Sequence, residues 1–368
     1  MALKYCPECG GKNAGDRETC FHCGYTFSKK NVPNAYCPEC EEWVTKTMDG
    51  FCPECGYAFD EAAKQASNGT SPRVVDHREE ERRAKQDAET RQKEEESRQY
   101  MSIDRGVLYR YTGQQPVVYV PSDVERIEND AFRDCQPIKN IVIPDSVREI
   151  GDSAFRGCTS LIKVELPDSI TELGEFAFYD CTALTTVKLP DGLKKLQTYA
   201  FGHCYALKSI DLPDSLTELG DMLFFECSAL TSVSLPPLNA IEESMFDYCK
   251  SLQSISIPST VTVVKSDAFD HCESLESVVL PNGVTRIESS AFRACHNLLS
   301  VTIPRSVTFI GYHVMYECYK IGCIKYLGTK KQWESIKKDS DWAYGINYGF
   351  TCHCVIKCTD GDIPVKPR

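Results

Sequence analysis

The residues best suited to chemistry are eight cysteines near the start of the chain, arranged as four Cys-x-x-Cys pairs. They form two sets with similar spacing: Cys6, Cys9, Cys20 and Cys23, then Cys37, Cys40, Cys52 and Cys55. Two such pairs can surround one metal ion with a tetrahedral shell of four thiolates, which leaves no open position for water or substrate. We therefore predict two structural zinc ions, with iron in the same shells as the alternative.

The two sets look like copies of one module, because each continues alike after its last cysteine, as Cys23–Phe27 and Cys55–Phe59. This pattern resembles the double zinc ribbons found in many bacterial proteins. The resemblance implies two small β modules, which would depend on the metal for folding because each buries too little surface alone. Their acidic side chains outnumber the basic ones, so we expect no binding to nucleic acid.

A period of 23 residues runs through most of the remaining chain. Nine cysteines mark it with intervals of 23 residues, apart from one of 22: Cys135, Cys158, Cys181, Cys204, Cys227, Cys249, Cys272, Cys295 and Cys318. A proline recurs in step with them, from Pro121 to Pro304. A fixed period of this size is typical of a solenoid, in which one small unit stacks on copies of itself. The short repeat falls at Pro236–Asn239, where we expect a local kink.

Each repeat contains two apolar pairs and a closing Ala-Phe pair. The first apolar pair, such as Val164 and Leu166, alternates with polar residues and predicts a short, half-buried strand. The strand ends at Pro167, because proline has no N–H for a sheet ladder. Turn residues and the second apolar pair follow. We expect the closing pair, such as Ala177–Phe178, to form a single helical or 3₁₀ turn.

Written out, the repeat is L-x-x-V-x-L-P-x-x-V-x-x-I-G-x-x-A-F-x-x-C, and it resembles the BspA-type leucine-rich repeats of bacteria. The resemblance covers roughly Val118 to Ile324. It implies a leucine-rich repeat solenoid of parallel β-strands with short helical or 3₁₀ turns. A stack of near-identical units offers a binding surface more readily than a catalytic pocket.

The predicted organisation has five segments. Residues 1–30 and 31–60 are the zinc ribbons, and residues 61–100 are a flexible, charged linker. Residues 101–324 are the solenoid of about nine repeats, and residues 325–368 are a C-terminal cap. Within the linker, opposite charges four positions apart favour a solvated helix.

Both ends of the solenoid need caps, because an open end exposes the core and the sheet edges. At the N-terminal end, Val107–Tyr111 and Val117–Val120 predict a capping hairpin. At the other end, Thr329 and Gln332 predict a capping box that opens a short helix, with Trp333 on the face that seals the last repeat.

The chain has 21 cysteines and a net charge of −12. Stacked repeat cysteines would lie about 4.8 Å apart with parallel Cα–Cβ bonds, which does not suit disulfides. We interpret them as small buried residues of a reduced, cytoplasmic protein, consistent with an N-terminus that lacks a signal-peptide pattern.

Cys352, Cys354 and Cys358 could hold a metal, but the alternation up to Ile356 favours a strand. No segment approaches the roughly 20 apolar residues of a membrane span.

We find no catalytic constellation in the sequence, because the seven histidines are scattered and even His203 and His271 lie three repeats apart. We therefore predict a non-enzymatic protein-interaction or scaffold protein with protein partners, in which the zinc ribbons are structural docking modules. The oligomeric state stays open. The alternatives are a surface or secreted adhesin-like leucine-rich repeat protein and a nucleic-acid-associated regulator that acts through the zinc ribbons.

The predicted binding face consists of the outward positions of the first strand in each repeat. Its later repeats present mostly small hydroxyls, which would suit a protein or an extended polymer. The candidate residues are Lys163, Glu165, Thr186, Lys188, Ser209, Asp211, Ser232, Ser234, Ser254, Ser256, Ser277, Ser300 and Thr302.

Overall fold

The computed structural model describes residues 77–346 and 354–365 and, as backbone, four short strands nearer the N-terminus. These strands are β1 (Leu3–Tyr5), β2 (Lys12–Ala14), β3 (Ala35–Cys37) and β4 (Glu42–Val44), paired antiparallel as β1–β2 and β3–β4. Of the predicted zinc ligands, Cys37 ends β3. The other seven lie outside the described residues: Cys6, Cys9, Cys20, Cys23, Cys40, Cys52 and Cys55.

The chain divides into two compact units, Met1–Thr90 and Arg91–Arg368. The charged segment forms the helix His77–Arg98, which lies within residues 61–100. The Arg98 guanidinium donates two hydrogen bonds to Asp123, at 2.6 and 2.8 Å, and the buried Ser97 hydroxyl accepts the N–H of Tyr119. The last turn of this helix therefore packs on the first repeat instead of spanning solvent.

The solenoid has two rows of parallel strands, one for each apolar pair of the repeat. The row of longer strands comprises β7 (Val117–Tyr119), β9 (Asn140–Val142), β11 (Lys163–Glu165), β13 (Thr186–Lys188), β15 (Ser209–Asp211), β17 (Ser232–Ser234), β20 (Ser277–Val279), β22 (Ser300–Ile303), β24 (Cys323–Tyr326) and β26 (Val355–Cys358). The final strand, β27 (Gly361–Pro364), pairs antiparallel with β26. Paired residues between β7 and β24 are 23 positions apart, as in Val164 opposite Val187, whereas β24 pairs with β26 as Ile324 opposite Ile356.

The row of two-residue strands follows the second apolar pair. It comprises β8 (Arg126–Ile127), β10 (Glu149–Ile150), β12 (Glu172–Leu173), β14 (Lys195–Leu196), β16 (Glu218–Leu219), β18 (Ala240–Ile241), β19 (Val263–Val264), β21 (Arg286–Ile287), β23 (Phe309–Ile310) and β25 (Lys337–Lys338). The predicted parallel solenoid is therefore confirmed.

The closing segment of each repeat differs from the predicted helical or 3₁₀ turn. Two residues in every such segment have a positive φ, for example Phe176 at 56° and Asp180 at 60°. With these backbone angles, every second N–H of the segment points towards the next repeat. The N–H groups of Ser153, Phe155 and Gly157 each donate to carbonyls of that repeat at 2.7–2.9 Å. The residues between them donate within their own repeat. The segment is thus a third hydrogen-bonded ladder, which a helix could not form because its N–H groups bond internally.

The core between the three ladders is built from a column of phenylalanines. Their rings stack with centroids 5.0–6.0 Å apart, and all are buried: Phe132, Phe155, Phe178, Phe201, Phe224, Phe246, Phe269 and Phe292. Replacing one such buried ring with alanine costs about 3–5 kcal/mol of stability. Each phenylalanine therefore ties two neighbouring repeats together.

The repeat cysteines lie beside this column as free thiols, as the sequence predicted. From Cys158 to Cys318, each Sγ donates to the carbonyl of the phenylalanine in the preceding repeat, at 3.0–3.3 Å. Burial raises the pKa of Cys227 to about 12 and of Cys204 well above its ordinary value. These thiols are therefore protonated structural donors, a role beyond the simple hydrophobic one we predicted.

The N-terminal capping hairpin differs from the predicted one. It pairs β5 (Met101–Asp104) with β6 (Val107–Tyr111), and β6 then begins the row of short strands. The segment Val117–Tyr119 instead begins the row of longer strands, pairing with β9. The reason is the repeat itself, since a regular repeat supplies one strand to each row and Val117 occupies the first-strand position.

The C-terminal cap follows the prediction more closely. Thr329 and Gln332 form the capping box of the C-terminal helix, Lys330–Ser335. Trp333 is buried, with its ring 5.2 Å from that of Tyr326 and 5.6 Å from that of Trp342. Further on, Cys354 is buried directly before β26 and Cys358 ends that strand, whereas Cys352 lies outside the described residues.

The shortened repeat interrupts both rows of strands. β16 does not pair with β18, and Ser254–Ser256, which should continue the longer row, forms no strand within the described solenoid. A cleft of about 550 Å³ opens at the break, between Lys195–Gln197 and Leu216–Gly220 on one side and Pro237–Ala240 and Glu242 on the other. Its charged groups are paired, since Lys195 Nζ lies 3.0 Å from Glu218 Oε2 and Glu242 contacts Lys265. The missing residue thus disturbs backbone pairing locally while the phenylalanine column continues.

Candidate functional site

The predicted binding face lies where the alternation placed it, on the outward side of the longer strands. Val164, Val187 and Ile210 are buried while their strand neighbours are exposed. The structure brings Lys163 beside Thr186, Glu165 beside Lys188, Ser209 beside Ser232 and Ser277 beside Ser300.

This face is less uniform than the sequence suggested. Ser254 and Ser256 lie in the break, and Ser300 and Thr302 are only half exposed. Lys163 and Glu165 form an ion pair with each other. The most exposed apolar side chain here is Val279, at 64%. The face is therefore accessible, but most of its side chains are small hydroxyls without a concentrated contact group.

The sequence reasoning missed a second surface, on the closing segments of the repeats. Here, partly buried or exposed aromatic and histidine rings contact one another from repeat to repeat. We call this set the aromatic stripe; it consists of Phe176, Tyr179, Tyr199, His203, Tyr205, Phe225, Tyr248 and His271. It crosses five successive repeats, a span of roughly 20 Å at one strand spacing per repeat.

The backbone of the closing segment positions these rings. Phe176 and Tyr199 occupy the first positive-φ position of their repeats, and His203, Tyr248 and His271 occupy the second. Large residues rarely adopt this conformation, which costs about 1–2 kcal/mol each. The third backbone ladder holds them in it, and their rings remain partly exposed.

Polar contacts fix the orientation of several rings in the stripe. The Tyr179 hydroxyl lies 3.2 Å from His203 Nε2, and the Tyr205 hydroxyl donates to Glu226 at 3.2 Å. Partial burial, with the adjacent Glu226 carboxylate, raises the pKa of Tyr205 to about 12. At the N-terminal end, the Arg156 guanidinium lies over the rings of Phe176 and Tyr179, at 5.6 and 5.2 Å. The stripe is thus an ordered aromatic surface with polar edges.

A buried acidic cluster adjoins the C-terminal end of the stripe. Asp247 and Asp270 are 8% and 1% exposed and occupy the same position in consecutive repeats. Asp270 Oδ2 accepts two hydrogen bonds from Arg293, one of them at 2.8 Å, and the His271 ring stacks on Tyr248 at 4.1 Å. Burial and the charge of Asp270 raise the pKa of Asp247 to about 8. Burial and the same charge also raise the pKa of Asp267.

The stripe escaped the sequence reasoning because its residues occupy four different columns of the repeat. We expected the closing segment to be a helical turn, so its columns were not read as one surface. The usable signal was the run of aromatic residues on both sides of Ala-Phe in neighbouring repeats, as in Phe176, Tyr179 and Tyr199. The acidic pair also left a signal, since Asp247 and Asp270 are one period apart.

Comparisons with known proteins agree with this architecture. A family model for the BspA-type leucine-rich repeat region, in six copies, matches residues 103–231 and 221–338. No curated protein matches the chain in sequence. Within the described residues, no helix is both long enough and apolar enough to cross a membrane.

Among solved structures, a leucine-rich repeat protein from Bacteroides ovatus is 29% identical, with a TM-score of 0.52; the match covers 60% of this chain and 66% of that one. One from T. pallidum is 26% identical, with a TM-score of 0.37, covering 66% and 94% of the two chains. A leucine-rich cell surface protein from Faecalibacterium prausnitzii is 24% identical, with a TM-score of 0.29, covering 64% and 93%. The repeat pattern, the parallel ladders and the family match together show that this chain belongs to the BspA-type leucine-rich repeat family.

Proposed function

We propose that this protein is a non-enzymatic interaction protein whose solenoid binds a protein partner through the aromatic stripe. The stripe is the observation that carries the proposal. Aromatic residues and arginine contribute most of the binding energy in protein interfaces, and the stripe combines phenylalanine and tyrosine rings with Arg156 at its end.

The fixed backbone of the stripe favours binding as well. Side chains that are already ordered lose little conformational entropy on association, so more of the contact energy appears as affinity. The rings are held by stacking, by the Tyr205–Glu226 hydrogen bond and by a backbone tied to the next repeat. The strand face has few large side chains, so we assign it a secondary role.

The N-terminal modules would serve as structural docking modules with two zinc ions. In each module, the first Cys-x-x-Cys pair lies in sequence at the connection between two antiparallel strands, β1–β2 and β3–β4. That placement fits a ribbon whose hairpin presents two thiolates to one ion. The donor set, four sulfurs in each module, suits zinc in a closed structural site.

We also propose a cytoplasmic location, since zinc-bound thiolates and buried free thiols both persist best in a reducing compartment. All twelve cysteines of the described solenoid and its caps are free. Fractionation of the native protein tests this: recovery in the soluble intracellular fraction agrees with it, and recovery at the cell surface or in the medium overturns it.

The binding proposal is tested by affinity capture from an extract of the native cells, using full-length protein. The stripe variant is Phe176→Asn with Tyr199→Asn, chosen because asparagine tolerates a positive φ better than most residues. The control variant is Thr186→Arg with Ser232→Arg, which alters the exposed strand face. Circular dichroism verifies that both variants are folded.

We expect one protein to be captured by the wild type and by the strand-face variant, and to be lost with the stripe variant. Equal capture by all three proteins, or loss only with the strand-face variant, would overturn the assignment to the stripe.

A further inference from the structure

We propose that Asp247, Asp270 and His271 form a binding site for one divalent transition-metal cation, separate from the N-terminal cysteine sites; His271 is also the last member of the aromatic stripe. One oxygen of each carboxylate and one ring nitrogen of His271 lie within 4.8 Å of one another. Carboxylate oxygen together with imidazole nitrogen is a donor set that suits Mn²⁺, Zn²⁺ and related ions.

The repeat brings these donors together. Asp247 and Asp270 lie one period apart, so stacking places the second aspartate on the neighbouring repeat beside the first. His271 follows Asp270 at the second positive-φ position, with φ of 52°, and its ring is held against Tyr248 by stacking at an interplanar angle of 7°. Three donors from two adjacent repeats are therefore fixed by backbone ladders.

The donors are buried and unsatisfied. Oδ1 of Asp247, Oδ1 of Asp270 and Nδ1 of His271 are shielded from solvent and have no hydrogen-bond partner. The Asp270 and His271 atoms are 2.9 Å apart but lack hydrogen-bond geometry. Buried polar atoms without partners destabilise the folded state, and charged ones do so most. A shared cation would satisfy all three.

The surrounding charges favour a cation over an anion. Three carboxyl groups meet here, those of Asp247, Asp267 and Asp270, and Arg293 pairs with Asp270. Arg293 contacts Oδ2 of Asp270, which leaves Oδ1 facing His271. The carboxyl groups thus outnumber the guanidinium, and the arginine orients one carboxylate without blocking the donor oxygen.

Binding of Mn²⁺ to full-length protein tests the proposal. Mn²⁺ prefers oxygen and nitrogen donors, so it discriminates against the four-sulfur sites, which are kept loaded with zinc. Electron paramagnetic resonance measures bound Mn²⁺, and its nitrogen modulation reports whether an imidazole is a ligand. The variants are Asp247→Asn and His271→Gln, and the control is Asp180→Asn, which alters a half-exposed aspartate at the repeat position of His271.

We expect one tightly bound Mn²⁺ per chain with a nitrogen signal in the wild type and in Asp180→Asn. Asp247→Asn should weaken binding by roughly 10-fold or more, and His271→Gln should abolish the nitrogen signal. His271→Gln keeps both carboxylates, so its spectrum is informative even if Asp247→Asn folds poorly. Wild-type protein that binds no Mn²⁺, or that binds it without a nitrogen signal, overturns the proposal, as does unchanged binding in both variants.

Discussion

At the scale of single residues, the solenoid depends on its buried cysteine thiols and on backbone positions with a positive φ. Cysteine is small enough for its core position, and its thiol also donates to a carbonyl of the preceding repeat, as Cys204 does to Phe178 at 3.3 Å. The positive-φ positions accept tyrosine, histidine and aspartate alike because the third ladder fixes the backbone.

One prediction concerns two residues at the same repeat position, Gly157 with φ of 73° and Ala294 with φ of 51°. Ala294→Gly should raise the free energy of unfolding by about 0.5–1 kcal/mol, because glycine adopts positive φ without steric cost. Gly157→Ala should lower it, because alanine is strained at this φ and the exposed Asp134 side chain, whose Oδ1 would lie 2.2 Å from the new Cβ, must move. Urea unfolding measures both, and changes of the same sign would contradict the account.

A second prediction concerns alkaline pH. Burial raises the thiol pKa of repeat cysteines such as Cys181 and Cys204, so unfolded thiols ionise near their ordinary pKa while folded ones stay protonated. The folded state then binds more protons, and stability falls as pH rises above about 8.5.

Each buried thiol should add about 1.4 kcal/mol per pH unit to this slope. Cys204→Ser removes one titrating group and should reduce the slope by about that amount, whatever its effect at neutral pH. Urea unfolding under reducing conditions between about pH 8 and pH 10 measures it. An unchanged slope in Cys204→Ser would mean that this thiol is not shielded in the folded state.

At the scale of elements, the sequence predicted the strands better than the segments between them. The alternation around Val164 and the proline after Leu166 indicated both the buried face and the strand end. The helical or 3₁₀ turn predicted for the closing segment was wrong. Residue preferences disfavour a positive φ at Phe176 or Tyr199, and hydrogen bonds to a neighbouring repeat offset that cost. The aromatic stripe could not be found without this conformation.

The break at the shortened repeat gives a prediction for backbone dynamics. Ser254–Ser256 has no strand partner among the described residues, whereas Ile210 and Val278 lie in paired strands. Amide hydrogens of Ser254–Ser256 should therefore exchange faster than those of Ile210 and Val278, because local opening costs less where ladder bonds are missing. Hydrogen exchange followed by mass spectrometry measures this, and equal protection would show that pairing continues through the break.

At the scale of the whole molecule, the chain has two compact units that we expect to depend on different sources of stability. The solenoid unit depends on its phenylalanine column, its ladders and its two caps. The N-terminal unit contains the cysteine modules, for which we propose metal-dependent folding. Its zinc sites rest on sequence spacing and stay a prediction.

The metal content of the purified protein tests whether the N-terminal unit depends on zinc and the solenoid does not. Purified protein should contain about two zinc ions per chain bound by thiolates, because each module offers four cysteines. A strong chelator should remove them and leave the β-sheet circular dichroism of the solenoid unchanged. A zinc content near zero, or loss of the solenoid signal on chelation, would contradict the division.

The central claim is that the aromatic stripe, and not the strand face, binds the partner. The most direct measurement is the dissociation constant of the captured partner for full-length wild type, for Phe176→Asn/Tyr199→Asn and for Thr186→Arg/Ser232→Arg. We predict that the stripe variant raises the dissociation constant by roughly 10-fold or more, as loss of interface hot spots does, and that the strand-face variant leaves it unchanged. Wild-type affinity in the stripe variant, with weakened binding in the strand-face variant, would contradict the claim.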